Sequence, residues 1–213
     1  KENRQVYGMD LSKASLRLAT NFKETNSIQN VMFIRGNIFE NPFIDKSVHV
    51  VVSNGVLHHT ADTWEALACI FKMLKSDGYA VIGLYNLYGR WRTNFIRKIA
   101  HILGRTILSN LDPMRSRKGG QGANAFRSWI NDQYFHPVER SHTYDETIKK
   151  ALNLGFEIVG FIPDVLNYYR EIPLDLKAVK SNGNMVDRII CQINLGIKEH
   201  QDGGFYSVVL RKP

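Results

Sequence analysis

The stretch Ser47–Thr60, SVHVVVSNGVLHHT, is the most informative part of the sequence for the fold, because it joins a β-branched run to a polar turn. The five residues from Val48 include four valines, and a continuous run of this kind is typical of a strand covered on both faces of a parallel sheet. Gly55 then breaks the run, and two adjacent histidines, His58 and His59, follow it. The stretch predicts a buried parallel strand that ends in a turn carrying chemically useful side chains.

Short β-like runs alternate with longer helical patterns on both sides of this stretch, which indicates an α/β fold with crossover helices. The predicted strands are Arg4–Asp10, Asn30–Arg35, Ser47–Ser53, Tyr79–Tyr85, Phe156–Ile162 and Gly204–Lys212. The predicted helices are Ser12–Phe22, Asp62–Leu74, Thr143–Leu154 and a segment around Met185–Ile197. Ser12 and Asp62 are the expected N-caps, and Gly155 is the expected residue after a helix end. We expect the closing strand to run antiparallel to the strand before it.

The composition of the 213 residues is that of a folded domain, with 44% hydrophobic and 23% charged residues, and it excludes disordered and low-complexity classes. The two cysteines, Cys69 and Cys191, are too few for a disulfide scaffold or a zinc site. We therefore expect no metal and a reducing environment. The chain opens without a basic and then apolar leader, and no apolar run approaches membrane-spanning length, so a cytoplasmic location is expected.

Positive charge is concentrated in one segment of the chain, which has a formal net charge of +8. Between Asn86 and His142 there are ten basic residues against three acidic ones. The strand and helix rhythm also breaks here, as it does again over 164–203. Insertions of this length are usually functional or form a lid, so we expect 87–142 to be a helical lid that recognises the substrate and 164–203 to be a second insertion.

Three stretches carry a resemblance to the class I S-adenosylmethionine-dependent methyltransferases, in the small-molecule type similar to enzymes of ubiquinone and menaquinone biosynthesis. They are VYGMDLSKASLRLA (6–19), RGNIFENPFIDKSVHVVVSNGVLHHT (35–60) and LKSDGYAVIGLYN (74–86). The resemblance implies a single methyltransferase domain over 1–213, built on a Rossmann-like, mostly parallel sheet with an antiparallel last strand. It also implies methyl transfer from S-adenosylmethionine to a small-molecule or lipid-like acceptor.

The resemblance places the cofactor at the carboxyl ends of the strands, where open parallel sheets bind ligands. It implies that Asp10 accepts from the ribose hydroxyls, with Leu11 against the adenine, and that Asn37 and the backbone of Ile38 contact the adenine edge. The implied residues near the sulfonium are Ser53, Asn54 and Val56. For Asp10 and Asn37 a plain turn or capping role remains the alternative, since both residue types favour such positions.

His58 is the predicted proton acceptor, because histidine is the natural base near neutral pH and the resemblance places the first histidine of the pair near the transferred methyl group. A histidine packed beneath the following helix is the alternative. The predicted acceptor-binding residues are His59, Tyr85, Tyr88, Trp91, Tyr134, His136 and Arg140. The amphipathic stretch that begins at Trp91 fits a lid, a membrane-surface helix or a helix packed on the core.

One departure from the family opens a competing hypothesis. The family's first strand and the Gly-rich loop that follows it have no counterpart here, so we expect residues upstream of Lys1 that supply them. Without them, a non-catalytic scaffold or binding protein with a degenerate methyltransferase fold is the alternative. Arginines interleaved with aromatic residues also suit single-stranded nucleic acid, but no RNA-binding module accompanies them. An RNA methyltransferase is accordingly the less favoured hypothesis, and peripheral membrane contact stays open.

Overall fold

The structure is a computed structural model that describes residues 4–40, 42–103, 138–167, 181–197 and 203–213. Its first unit is β1 (Val6–Asp10), α1 (Lys13–Thr25) and β2 (Val31–Arg35). The two strands pair in parallel, with Asp10 opposite Arg35. Ser12 is the N-cap of α1, as predicted, and its hydroxyl accepts from the Ser15 amide at 3.2 Å.

The second unit is β3 (Val48–Asn54), α2 (Thr63–Met73) and β4 (Leu74–Tyr85), with β3 and β4 parallel. Asp62 caps α2 as predicted, because its carboxylate accepts from the amides of Trp64 and Glu65. These two amide donors lower the pKa of Asp62.

β4 is longer than the predicted Tyr79–Tyr85, because the strand begins directly at the end of α2. The pairing of β3 with β4 has a register shift between Val48 and Val50, and Asp77 in β4 has a φ of 60°.

The C-terminal elements are α3 (Trp91–Leu103), α4 (Tyr144–Asn153), β5 (Glu157–Ile162), α5 (Met185–Ile197) and β6 (Phe205–Arg211). The last strand runs antiparallel to both β4 and β5, which gives the order β3-β4-β6-β5. Gly155 follows α4 with a φ of 93°, as expected for a residue after a helix end.

The strands form two sheets rather than one. β1 and β2 make a two-stranded sheet, separate from the four-stranded sheet, and within the described ranges no strand pairs β1 with β3. Val50 and Val52 on β3 are 54% and 66% exposed. The predicted α/β class with a mostly parallel arrangement and an antiparallel last strand is confirmed, but full coverage of β3 is wrong, because none of the described elements packs on the face that carries these two valines.

The core lies between the four-stranded sheet and the helices α2, α4 and α5. It is built from fully buried apolar side chains, among them Leu67, Ile82, Tyr144, Cys191 and Tyr206. Burial raises the pKa of the Cys191 thiol to about 11, so this cysteine behaves as a packing residue. None of the described helices is long and apolar enough to cross a bilayer.

Candidate functional site

The carboxyl ends of β1 and β2 carry the first predicted cofactor residues. Asp10 ends β1, and one of its carboxylate oxygens, Oδ1, accepts from the Ser12 amide at 2.7 Å. No group in the described chain donates to its second oxygen, Oδ2, so the turn role and a ligand role are compatible at this residue. Leu11, the next residue, is exposed.

Asn37 follows β2 and starts a short 3-10 turn, Ile38–Glu40, by accepting the Phe39 amide at 3.2 Å through its side-chain oxygen. The capping alternative therefore describes its present contact. Ile38 and Phe39 pack against the core, which brings the end of β2 close to α2. The turn after β2 is thereby anchored to the larger sheet's helix layer.

The end of β3 presents Ser53, Asn54 and Val56 in different ways. The Asn54 side chain lies over Gly83 of β4, where an added Cβ would stand 2.1 Å from its oxygen. The same oxygen accepts from the Ser207 hydroxyl at 3.4 Å, so Asn54 is directed towards β6. Ser53 is half-buried within β3 and Val56 is exposed.

The histidine pair forms a ring cluster with Tyr85 from the end of β4. His58 is 0% exposed, with its ring centroid 4.3 Å from that of His59 and 4.4 Å from that of Tyr85. The guanidinium carbon of Arg90 lies 3.6 Å from the Tyr85 ring centroid. His59 is only half-buried, so it is the more open of the two imidazoles.

Residues 138–142, which we call the strap, form the end of the basic insertion and are hydrogen-bonded to this histidine turn. The His59 Nδ1–H donates to the Val138 carbonyl at 2.9 Å. The Arg140 amide donates to the His58 carbonyl at 3.0 Å, and its Nη1 donates to the Thr60 carbonyl at 2.6 Å. Arg140, predicted to bind the acceptor, therefore contacts the turn itself.

Glu139 of the strap is a buried carboxylate between two arginines of the insertion. Its Oε1 contacts Arg90 Nη2 at 3.2 Å and Arg97 Nη1 at 2.5 Å, and the Glu139 and Arg90 side chains are 1% and 0% exposed. Part of the positive charge that the sequence concentrates here is thus neutralised internally. The free field of the insertion is smaller than its formal charge indicates.

Sequence reasoning missed Asn86, a fully buried residue at the end of β4. Its side-chain oxygen accepts from the amides of Tyr88 and Gly89 at 3.0 and 2.8 Å, and its Nδ2 donates to Gln192 of α5 at 2.9 Å. Gln192 also accepts the Tyr144 amide at 3.0 Å. The asparagine turn ahead of Gly89 was a detectable local signal, but the partner lies 106 residues away.

His142 at the end of the strap is the second residue that sequence reasoning missed. Its Nδ1 contacts the Glu146 carboxylate at 3.1 Å and its Nε2 contacts the Thr63 hydroxyl at 3.1 Å. Burial lowers the pKa of His142 despite the opposing effect of Glu146. The neutral ring donates from Nδ1 to Glu146 and accepts the Thr63 hydroxyl at Nε2.

The remaining predicted acceptor residues are divided. Tyr88 and Trp91 are exposed at the start of α3, and Trp91 lies beside α5, where a Cβ added at Gly196 would meet its ring at 3.1 Å. Tyr134 and His136 lie outside the described residues. Within the described ranges no cluster of three or more acidic, histidine or cysteine side chains is arranged to hold a metal ion.

Comparison with known proteins finds similar sequences and similar folds. Residues 1–82 match the family described as methyltransferase domain. Over 74 residues the chain is 28% identical to the "Uncharacterized methyltransferase YcgJ" of Bacillus subtilis (strain 168), a match that covers 35% of this chain and 29% of that protein. The matched region therefore spans less than a third of that relative.

Two solved structures share the fold over nearly the whole chain. PKMT2 from Rickettsia typhi superposes with a TM-score of 0.65 and 16% identity, covering 97% of this chain and 43% of that one. The geranyl diphosphate C-methyltransferase from Streptomyces coelicolor A3(2) superposes with a TM-score of 0.52 and 16% identity, covering 99% of this chain and 63% of that one.

The sequence match and the structural likeness cover different extents of the chain. Residues 1–82 are similar to the methyltransferase domain family, and the fold over nearly the whole chain is shared with solved structures such as PKMT2. The matching stretch holds the Asp10 and Asn37 turns and the histidine pair, whereas the strap and the Asn86 network lie in the part beyond residue 82.

We expect His142 to make stability depend on pH. Its pKa is lower in the folded chain than in the unfolded chain, so protons favour unfolding, and the free energy of unfolding falls as pH drops below about 6.5. One proton limits the slope to about 1.4 kcal/mol per pH unit. Urea denaturation from pH 5 to 8 should show a smaller slope for His142→Gln. The exposed-residue control His49→Gln should keep the wild-type slope, and equal slopes in all three proteins would contradict the assignment.

Proposed function

We propose that this protein transfers the methyl group of S-adenosylmethionine to a small-molecule or lipid-like acceptor. The observation that carries the proposal is the position of Asp10, whose carboxylate ends β1 beside exposed Leu11 and keeps its Oδ2 without a donor from the described chain. PKMT2 and the geranyl diphosphate methyltransferase were solved with S-adenosylhomocysteine, the product of such a transfer.

The residues present fit a nucleoside bound along the carboxyl ends of β1, β2 and β3. Asp10 would accept from the two ribose hydroxyls, because an ionised carboxylate forms the stronger class of hydrogen bond. Leu11 and Ile38 would contact the adenine, and Asn37 would accept from its amino group. Val56 would line the sulfonium end. S-adenosylmethionine supplies an activated methyl group, so the protein's contribution is orientation and exclusion of water.

Asp10→Ala should weaken the binding of S-adenosylmethionine by about 10-fold to 100-fold, because hydrogen bonds to charged groups are each worth about 1.5–3 kcal/mol. Isothermal titration of wild type and variant measures this difference. Glu24→Ala, which removes an exposed carboxylate from the end of α1, is the matched control and should leave the affinity unchanged. Equal affinities for wild type and Asp10→Ala would remove the ribose assignment.

The surface around α3 and α5 supports an acceptor found at a lipid surface. Trp91 and Phe95 on α3 are 58% and 60% exposed, and the apolar residues Val186, Ile190, Ile193 and Ile197 form an exposed stripe on α5. Trp91 lies beside Gly196 of α5, so the exposed aromatic end of α3 is next to the helix that carries this stripe. Exposed apolar patches of this kind mark interaction sites, and Arg92 and Lys98 add exposed positive charge.

Co-sedimentation with vesicles tests the lipid version. Binding should be stronger to vesicles that contain anionic lipid than to neutral ones, and it should weaken at high salt. Arg92→Ala combined with Lys98→Ala should reduce it, whereas Lys149→Ala combined with Lys150→Ala, which removes equal charge from α4, should not. Arg97 is left intact because it pairs with Glu139. If binding is unaffected by lipid charge, by salt and by these substitutions, the acceptor is not membrane-associated and a soluble acceptor is the alternative.

A further inference from the structure

We infer that His59, rather than His58, accepts the proton of a hydroxyl acceptor, and that the Val138 carbonyl prepares it for this role by fixing its tautomer. The inference rests on the proposed methyl transfer and assigns a residue within it. Three observations carry it: the burial of each imidazole, the contact at His59 Nδ1, and the attachment of the strap to the turn.

The burial of the two rings separates their roles. His58 is 0% exposed, and its ring contacts those of His59 and Tyr85 at centroid distances of 4.3 and 4.4 Å. A substrate hydroxyl must approach within hydrogen-bond distance of a base, and a fully enclosed ring offers no such approach. His59 lies on the same turn but is only half-buried. His59 is therefore the histidine of this pair that solvent or a ligand can reach.

The contact at Nδ1 fixes which nitrogen of His59 is basic. A backbone carbonyl only accepts hydrogen bonds, so the 2.9 Å contact between Nδ1 and the Val138 oxygen requires a proton on Nδ1. In the neutral ring the lone pair is then on Nε2. The partial negative charge on the carbonyl oxygen also stabilises the positive charge that the ring acquires when Nε2 takes up a proton.

The strap holds this geometry from outside the turn. Arg140 donates to the His58 and Thr60 carbonyls, which flank His59 on both sides. Glu139 ties the same segment to Arg90, whose guanidinium lies on the Tyr85 ring that contacts His59 edge-on at 6.1 Å. Val138 and Arg140 are therefore positioning groups, and His59 is the residue that meets the acceptor.

The proton balance of the transfer follows from this assignment. The acceptor oxygen forms a bond to the methyl carbon, and the electron pair of the carbon–sulfur bond leaves with the sulfur as S-adenosylhomocysteine forms. The hydroxyl proton passes to His59 Nε2, which makes the ring an imidazolium, and it is then released to water. No oxidant, metal or further reactant is needed.

Modification by diethyl pyrocarbonate tests the inference without knowledge of the acceptor, because this reagent acylates the neutral imidazole nitrogen that carries the lone pair. Peptide mass spectrometry follows each histidine separately. His59 should react and His58 should not. S-adenosylhomocysteine at about ten times its Kd should slow the His59 reaction about ten-fold, while exposed His49 serves as the internal control with an unchanged rate.

Nitrogen-15 NMR of the histidine rings supplies the second readout, with His59→Gln used to assign the resonances. The His59 ring should be the tautomer protonated at Nδ1. A His59 that carries its neutral-form proton on Nε2, that does not react, or that reacts equally with and without bound S-adenosylhomocysteine overturns the inference. Titration of S-adenosylhomocysteine into the same sample separates the two claims, because absence of binding contradicts the proposed function instead.

Discussion

The buried hydrogen bonds of Asn86 hold together the end of β4, the turn into α3 and helix α5. One amide side chain starts the turn into α3 through Tyr88 and Gly89 and reaches α5 through Gln192. Each buried donor or acceptor left without a partner costs about 1–3 kcal/mol, so these elements are held in one arrangement. The backbone follows the same pattern, because His142 pairs with Tyr85 and Leu87 on either side of Asn86.

This constraint places both ends of the basic insertion beside the histidine turn. At the start of the insertion Arg90 stacks on Tyr85. At its end the strap forms hydrogen bonds with His58, His59 and Thr60. Within the described residues the ion pairs of Glu139 with Arg90 and Arg97 join the end of the insertion to its start. The two ends of the insertion are therefore held beside the histidine turn by buried contacts.

The local features of the fold could be predicted from the sequence, and the long-range ones could not. Ser12, Asp62 and Gly155 mark helix ends through contacts within a few residues, so their roles followed from residue type and position. The division into two sheets depends on which strands pair with β3, and this pairing joins residues that are distant in the sequence. The strap and the Asn86–Gln192 bond join residues far apart in the sequence, for which a single sequence carries no signal.

At the histidine turn the sequence showed the motif but not the geometry within it. The histidine pair was visible as a motif, whereas the burial that distinguishes His58 from His59 arises from packing against Tyr85. Arg140 was expected to meet the acceptor because it is basic and lies in the insertion. In the structure its backbone and guanidinium both bond to the turn, a use of arginine that only three-dimensional contacts reveal.

We propose that the carboxyl ends of β1, β2 and β3 bind one nucleoside ligand. Amide NMR spectra recorded during titration with S-adenosylhomocysteine test it most directly, because they report the bound surface residue by residue. We expect shifts that saturate together at Asp10, Leu11, Asn37, Ile38 and Val56, with little change in β5 and the exposed face of α4. Shifts confined to other surfaces, or no shifts at millimolar ligand, would contradict it and favour a scaffold that retains only the fold.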